Sequence, residues 1–151
     1  MTAQERLERI VGLFADAPRE VRLQALLDYS RRLPELPPRL AAHPDVMERV
    51  HECQTPFSLA VEFTSDEAVR LYFQVPAESP TVRGYAGILH EALDGAQATE
   101  VLEVPSDFYL RMGLEEAVSS LRLRGMGAIV ARLKDQVRAG LEPSSGVMTS
   151  A

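Results

Sequence analysis

Cys53 is the residue of this chain best suited to nucleophilic chemistry, because a thiolate is the strongest nucleophile that its side chains offer. It is the only cysteine, so the chain cannot form an internal disulfide. A lone cysteine is often an inert, small apolar residue of the core. Here Glu52, Gln54 and Thr55 are polar and Pro56 interrupts regular structure, which favours a loop position over core packing.

A cysteine hydrolase is one alternative, since it needs a histidine base near the thiol. His51 lies two residues from Cys53, and an extended backbone would place both side chains on one face. No hydrolase signature surrounds the pair, so this hypothesis is the weaker one. His43 is predicted in a solvated loop, and His90 is predicted at the surface of a helix or half-buried there.

Metal and phosphate chemistry find little support. One cysteine and three scattered histidines lack the spacing of a zinc or cluster site, so no metal and no cofactor are predicted. The only lysine, Lys134, follows no glycine-rich phosphate loop. Because it stands beside Asp135 in a helical segment, it is predicted on a solvated face.

Length and composition predict one domain. A chain of 151 residues with 46% hydrophobic residues can bury a single core, which we assign to residues 1–139, with a disordered tail at 140–151. A net charge of −6 without a basic run argues against nucleic acid as a partner. The single cysteine, and the absence of a long apolar span or lipidation signal, predict a cytoplasmic protein without membrane association.

The first third of the chain predicts helices. Thr2 and Glu5 have the spacing of a capping box, and apolar residues follow at helical intervals. A cap and a proline at residues 16–18 predict a second helix, which ends near Leu33 because a proline follows. Several prolines at residues 34–44 predict an irregular connector.

The middle of the chain predicts an antiparallel sheet. Residues 57–63 and 69–75 alternate between apolar and polar types, and residues 64–67 join them as a hairpin. Residues 46–50 are predicted to form a third strand. The connection at 51–56 then carries Cys53 at a loop tip.

The last part of the chain predicts further helices. One starts at the signal Ser79-Pro80 and keeps apolar residues at helical spacing over residues 82–93, a short one covers 106–112, and a long one begins near Ser119 or Ser120. Gly125 and Gly127 are unusual inside this long helix and indicate close packing or a functional approach. Together these elements predict an α+β fold, with a small antiparallel sheet of about three strands and helices packed on one side.

Four segments carry a resemblance to a known family. They are YSRRLPEL at 29–36, VHECQT at 50–55, VRG at 82–84 and LRLRGM at 121–126, in the order seen in SufE proteins. The chain resembles this family over about residues 3–139. The resemblance implies an α+β domain similar to that of the cluster scaffold protein, a SufE/IscU-like fold, in agreement with the periodicity.

The resemblance also implies a function. A SufE-like protein accepts persulfide sulfur from a SufS-type cysteine desulfurase onto its loop cysteine, here Cys53, and stimulates that enzyme. It then passes the sulfur to iron–sulfur cluster assembly on a scaffold. Pyridoxal phosphate belongs to the desulfurase, so this chain would need no cofactor. A monomer or weak homodimer is expected. The alternative is a docking or regulatory domain that engages a desulfurase without carrying sulfur.

The resemblance assigns roles to individual residues. Arg122 matches a family arginine near the cysteine loop, where a cation would stabilise the thiolate or persulfide of Cys53. The loop residues expected at the partner surface are His51, Glu52, Gln54 and Thr55.

The chain departs from the family at three points. Glu52 stands where glycine is usual, and its charge is expected to raise the pKa of the neighbouring thiol. Pro56 and Phe57 replace small polar and branched residues, and the family tryptophan is absent.

Overall fold

The computed structural model describes residues 1–116 and 118–141. Within them, six α-helices accompany a three-stranded antiparallel sheet, which confirms the predicted α+β fold. In chain order the elements are α1 (Ala3–Ala15), α2 (Arg19–Arg32), α3 (Pro38–Ala41), β1 (Glu48–Arg49), β2 (Ser58–Phe63), β3 (Val69–Gln74), α4 (Pro80–Leu93), α5 (Ala98–Glu103) and α6 (Ser120–Leu141).

The sheet has the order β1-β2-β3, with Leu59 of β2 opposite both Glu48 of β1 and Phe73 of β3. The predicted hairpin is confirmed, since the Thr64 amide donates to the carbonyl oxygen of Ala68 at 2.8 Å. Buried and exposed side chains alternate along β3, so one face of the strand meets the core. The predicted strand at 46–50 is shorter than expected, because a 3-10 turn at Pro44–Val46 precedes β1.

Helix α1 begins at the predicted capping box. The side chain of Thr2 accepts a hydrogen bond from the Glu5 amide, and the Glu5 carboxylate accepts one from the Thr2 amide. Helix α2 ends before Pro34, as predicted. The prediction of an irregular connector at 34–44 is wrong for α3, where Pro38 occupies the first turn and its missing N–H costs no helical hydrogen bond.

Two glycines bring α4 against α2. A Cβ at Gly84 would lie 2.2 Å from the carbonyl oxygen of Leu26, and one at Gly87 would lie 2.3 Å from that of Tyr29. Only glycine permits this separation of the two backbones. Helix α4 ends as predicted, with Gly95 at a φ of +84° just beyond it.

The C-terminal half differs from the sequence prediction in two places. Helix α5 was not predicted, and the predicted helix at 106–112 is reduced to a 3-10 turn at Phe108–Arg111. The prediction of a solvated Lys134 is also wrong: the side chain is buried, and its ammonium donates to the carbonyl oxygen of Val104. The carbonyl oxygen supplies a hydrogen-bond partner that a buried ammonium group needs.

Helix α6 begins at Ser120, as predicted, and ends at Leu141, two residues beyond the end at 139 that we assigned to the domain. Positions 142–151 of the predicted tail lie outside the described residues. Among residues 1–116 and 118–141, no helix combines the length and apolarity needed to cross a membrane.

Candidate functional site: a loop thiol closed against helix α6

Cys53 lies on the loop of residues 50–57, between β1 and β2, as predicted. The loop is closed at its base, where the Val50 amide donates to the carbonyl oxygen of Phe57 at 2.8 Å and both side chains are fully buried. The Cys53 amide donates to the Val50 carbonyl oxygen at 3.2 Å, which forms a turn. The two ends of the loop are therefore anchored in the core while its tip projects toward α6.

The sulfur of Cys53 rests on the backbone of α6. Sγ donates to the carbonyl oxygen of Gly125 at 3.7 Å, and a Cβ at position 125 would lie 3.1 Å from Sγ. Glycine therefore makes room for the thiol, and the close approach that the sequence predicted at Gly125 is confirmed. The companion prediction at Gly127 is confirmed as well, because a Cβ there would lie 2.7 Å from the hydroxyl of Tyr109.

Little space surrounds the half-buried thiol. The cavity next to it has a volume of about 10 Å³. A cavity needs about 10–15 Å³ to hold one water molecule. A sulfur atom is larger than a water oxygen, so the closed loop leaves little room for a second sulfur on the inner side of Cys53. The lining residues are Cys53, Gln54, Thr55, Val82, Leu121, Arg122, Gly125, Met126 and Ile129.

The surroundings disfavour the thiolate. Burial, and next the charge of Glu52, raise the pKa of Cys53 to about 11, while the cations Arg132 and Arg49 act in the opposite direction. The thiol of the closed loop is therefore protonated at neutral pH. Because the thiolate is the nucleophile, Cys53 is a weak nucleophile at neutral pH in this conformation. The expectation that Glu52 raises the thiol pKa is confirmed, although burial is the larger cause.

Arg132 of α6 ties the loop to the helix. Its Nε and Nη2 donate to the two carboxylate oxygens of Glu52, each at 3.0 Å, and its Nη1 donates to Glu48 of β1 at 2.7 Å. Glu48 also accepts from the side-chain amide of Gln136 at 2.8 Å, while Gln136 accepts from the Val61 amide of β2 at 2.9 Å. One helix face thus holds both the loop tip and the first two strands.

Sequence reasoning missed Arg132. Gly125, Ile129, Arg132 and Gln136 follow one another at intervals of three or four residues, so they share one face of α6. The one indication in the sequence was the carboxylate of Glu52, for which a nearby cation is the expected partner. The sequence holds fifteen arginines, however, and spacing alone does not select the one that meets Glu52.

The other predicted site residues lie around the same loop. Arg122 is exposed at the cavity rim, and its Nη1 donates to the hydroxyl of Thr81 at 3.1 Å. Its role in stabilising a thiolate or persulfide stays a prediction. Gln54 and Thr55 line the cavity, and His51 is exposed at the loop tip. Contact of these loop residues with a partner also stays a prediction.

Other kinds of site are poorly supported. Among the residues that the structure describes, no group of three or more histidine, cysteine, aspartate or glutamate side chains is arranged to hold a metal ion. His90 is half-buried on α4, where its Nε2 lies 3.7 Å from Asp94 Oδ2. A raised pKa at Cys53 is the opposite of what a cysteine hydrolase requires of its nucleophile.

The architecture and the site define a class of protein: a small α+β domain that presents one thiol on a closed loop. The family model described as SufE, an Fe-S metabolism associated domain, matches residues 8–137. The chain therefore belongs to the SufE family, and this membership supports a role in iron–sulfur metabolism.

Relatives cover most of the chain. Two SufE-like proteins of Mycobacterium tuberculosis, from strains CDC 1551 / Oshkosh and H37Rv, are each 45% identical over 132 residues, which is 87% of this chain and 91% of theirs. A SufE-like protein of Rhizobium meliloti is 26% identical over 138 residues, 89% of this chain and 96% of its own. The solution structure of a hypothetical protein from Thermus thermophilus matches with a TM-score of 0.81 and 45% identity, over 93% of this chain and 98% of that one.

Proposed function

We propose that this protein is a sulfur carrier, which accepts a sulfane sulfur on Cys53 from the persulfide of a cysteine desulfurase and delivers it to iron–sulfur cluster assembly. The observation that carries the proposal is the position of its only thiol, on a tethered loop that closes against α6 in a SufE-family domain. A carrier needs a thiol that can be both protected and presented. It needs no pyridoxal phosphate or metal of its own, because the desulfurase performs the carbon–sulfur cleavage.

The transfer is a thiol–disulfide type of exchange. Cys53 first loses its proton, and its thiolate attacks the terminal sulfur of the donor persulfide. A new bond forms between Sγ and that sulfur, the donor sulfur–sulfur bond breaks, and the donor thiolate leaves and takes up a proton. The number of sulfur–sulfur bonds is unchanged, so the step consumes no oxidant or reductant. Delivery repeats the exchange, with Cys53 as the leaving thiolate.

The closed loop is the protected state of this cycle. In it the pKa of Cys53 is raised to about 11, and the neighbouring cavity of about 10 Å³ leaves little room for another sulfur on the inner side of the thiol. Loading therefore requires the loop tip to move away from Gly125, which rehydrates the thiol and lowers its pKa. Docking of the desulfurase is the event that we expect to favour this movement. A protein that held the thiol open at all times would expose it to oxidation and to exchange with cellular disulfides before it is loaded.

The test is to incubate the purified protein with a cysteine desulfurase and L-cysteine and to measure its intact mass. The expected result is the addition of one sulfur atom, mapped to Cys53 and removed by reductant. Cys53→Ser is the matched control, since it removes the thiol and keeps nearly the same size; it should gain no sulfur. No adduct with a desulfurase that turns over normally would contradict the proposal.

The docking-domain alternative has one observation in its favour, which is that the thiol of the closed loop is protonated and half-buried. It predicts that Cys53→Ser stimulates the desulfurase as well as the wild type does. The carrier proposal predicts that the variant loses this stimulation, so initial rates of alanine release separate the two. Turnover of a thioester or amide by the isolated protein would instead indicate the hydrolase alternative.

A further inference from the structure

We propose that Glu52 and Arg132 are positioning residues that hold the Cys53 loop closed in the free protein, and that this ion pair sets how often the thiol is presented. The three side chains Glu52, Arg132 and Glu48 are called the clasp below. The inference rests on the proposed function, because protection of the thiol matters only to a protein that loads it with sulfur.

The geometry of the clasp is that of a fork. Both carboxylate oxygens of Glu52 accept from different nitrogens of Arg132, an arrangement that fixes direction as well as distance. Glu52 immediately precedes Cys53, so a movement of the loop backbone that takes Cys53 away from α6 also displaces the Glu52 carboxylate relative to the guanidinium. The bond between the loop tip and α6 must therefore stretch or break before the loop can lift Cys53 off the helix.

The helix end of the clasp is fixed more firmly than the loop end. Arg132 has a relative side-chain exposure of 29% against 50% for Glu52, and it is also bonded to Glu48 in the sheet. Gln136 holds Glu48 in place and at the same time bonds the backbone of β2. Arg132 is therefore a preorganised receptor that stays in position when Glu52 leaves, so the loop can return to the same closed conformation.

These side-chain bonds are a main contribution to the closing force, because the other contacts of the tip are the packing of half-buried Cys53 against the core and weak polar contacts. The long Sγ bond to Gly125 at 3.7 Å involves a poor donor, and His51 and Gln54 are exposed. The backbone bond at the loop base joins residues 50 and 57 and can persist when the tip opens.

Alkylation of Cys53 by iodoacetamide in the native full-length protein tests the clasp without any sulfur donor. The decisive variant is Arg132→Gln. If Arg132 acted only as a nearby positive charge, its removal would raise the thiol pKa further and slow alkylation, since this cation lowers that pKa. The clasp predicts the opposite sign, because the opened loop exposes the thiol.

We expect Arg132→Gln and Glu52→Gln each to speed alkylation by about twofold to fivefold, the range for losing a well-formed ion pair that is partly exposed. The double variant should be no faster than the faster single variant, because both remove the same bond. Arg132→Lys keeps the charge and loses the fork, so it should also be faster than wild type. Slower or unchanged alkylation in Arg132→Gln and Arg132→Lys would overturn the inference.

The chain offers a matched control. Arg39 donates from two nitrogens to both carboxylate oxygens of Glu62 on β2, at 2.6 Å each, in an exposed pair outside the loop. Glu62→Gln should leave the alkylation rate unchanged, and thermal unfolding should show that each variant is folded. Sulfur loading of the wild type, measured by mass, is a separate readout. If the wild type loads sulfur but the variants are alkylated no faster than it, the clasp is refuted and the carrier function stands. If the variants are alkylated faster but the wild type loads no sulfur, the carrier function is refuted and the clasp stands.

Discussion

Replacing Gly125 by alanine should release Cys53 from α6 without harming the helix. The new Cβ would lie 3.1 Å from Sγ, and the nearest neighbours of this Cβ all belong to Cys53. This distance is shorter than an ordinary van der Waals contact, so the loop must retreat by a few tenths of an ångström. The helix itself becomes more stable, because alanine is favoured over glycine in a helix interior by about 1 kcal/mol.

The size of the effect on loop opening depends on which conformation the new Cβ destabilises. Overpacking a site costs about 1–3 kcal/mol, and here the cost falls on the closed loop conformation alone. Taking the lower end of about 1 kcal/mol, the ratio of open to closed loops rises about fivefold. Native-state alkylation of Cys53 should rise by the same factor, and the apparent pKa of the thiol should fall because the sulfur is better hydrated. The free energy of unfolding should stay near that of the wild type.

Gly12→Ala is the matched control for this experiment. Gly12 also lies inside a helix, α1, and a Cβ there would meet nothing within 4 Å. The variant should gain about 1 kcal/mol of stability with no change at Cys53. If Gly125→Ala behaves in the same way, with greater stability and unaltered alkylation, then Cys53 does not rest on α6 at this position and the description of the closed site is wrong.

Two further predictions concern the thiol and the core. The alkylation rate of wild-type Cys53 should rise with pH to a midpoint near 11. Glu52→Gln should move this midpoint to lower pH, because the substitution removes a charge that raises the thiol pKa. An unmoved midpoint would contradict the effect assigned to Glu52. Gly84→Ala should lower the free energy of unfolding, measured in urea, by about 3 kcal/mol or more. The reason is that the new Cβ would lie 2.2 Å from the backbone oxygen of Leu26, which cannot rotate away. Unchanged stability would mean that α2 and α4 are farther apart.

Elements set by local signals could be predicted from the sequence. The capping box of α1, the end of α2 before Pro34 and the hairpin between β2 and β3 each depend on residues close together in the chain. Helix α5 could not be predicted in this way, because it has only six residues and no side-chain cap. Long-range contacts such as the bond from the Ala3 amide to Glu100 hold it in place.

In the site, as in the fold, features set by neighbouring residues could be predicted and features set by long-range contacts could not. The loop and the thiol could be predicted, since polar neighbours and Pro56 surround Cys53 locally. Gly125 was recognised as anomalous, but its contact with Cys53 joins residues 72 positions apart. The pairing of Glu52 with Arg132 spans 80 positions and depends on how α6 crosses the sheet, which residue spacing does not determine.

The buried position of Lys134 has a consequence for the surface charge. It is the only lysine, and its ammonium is bonded to the carbonyl oxygen of Val104, so the remaining positive side chains are arginines and any protonated histidines. Guanidinium groups stay charged at every physiological pH and, unlike lysine amines, are not neutralised by acetylation. The positive charges of Arg49, Arg122 and Arg132 beside the loop are therefore permanent. Changes in the electrostatics of this face must come from its carboxylates, its histidines or the sulfur itself.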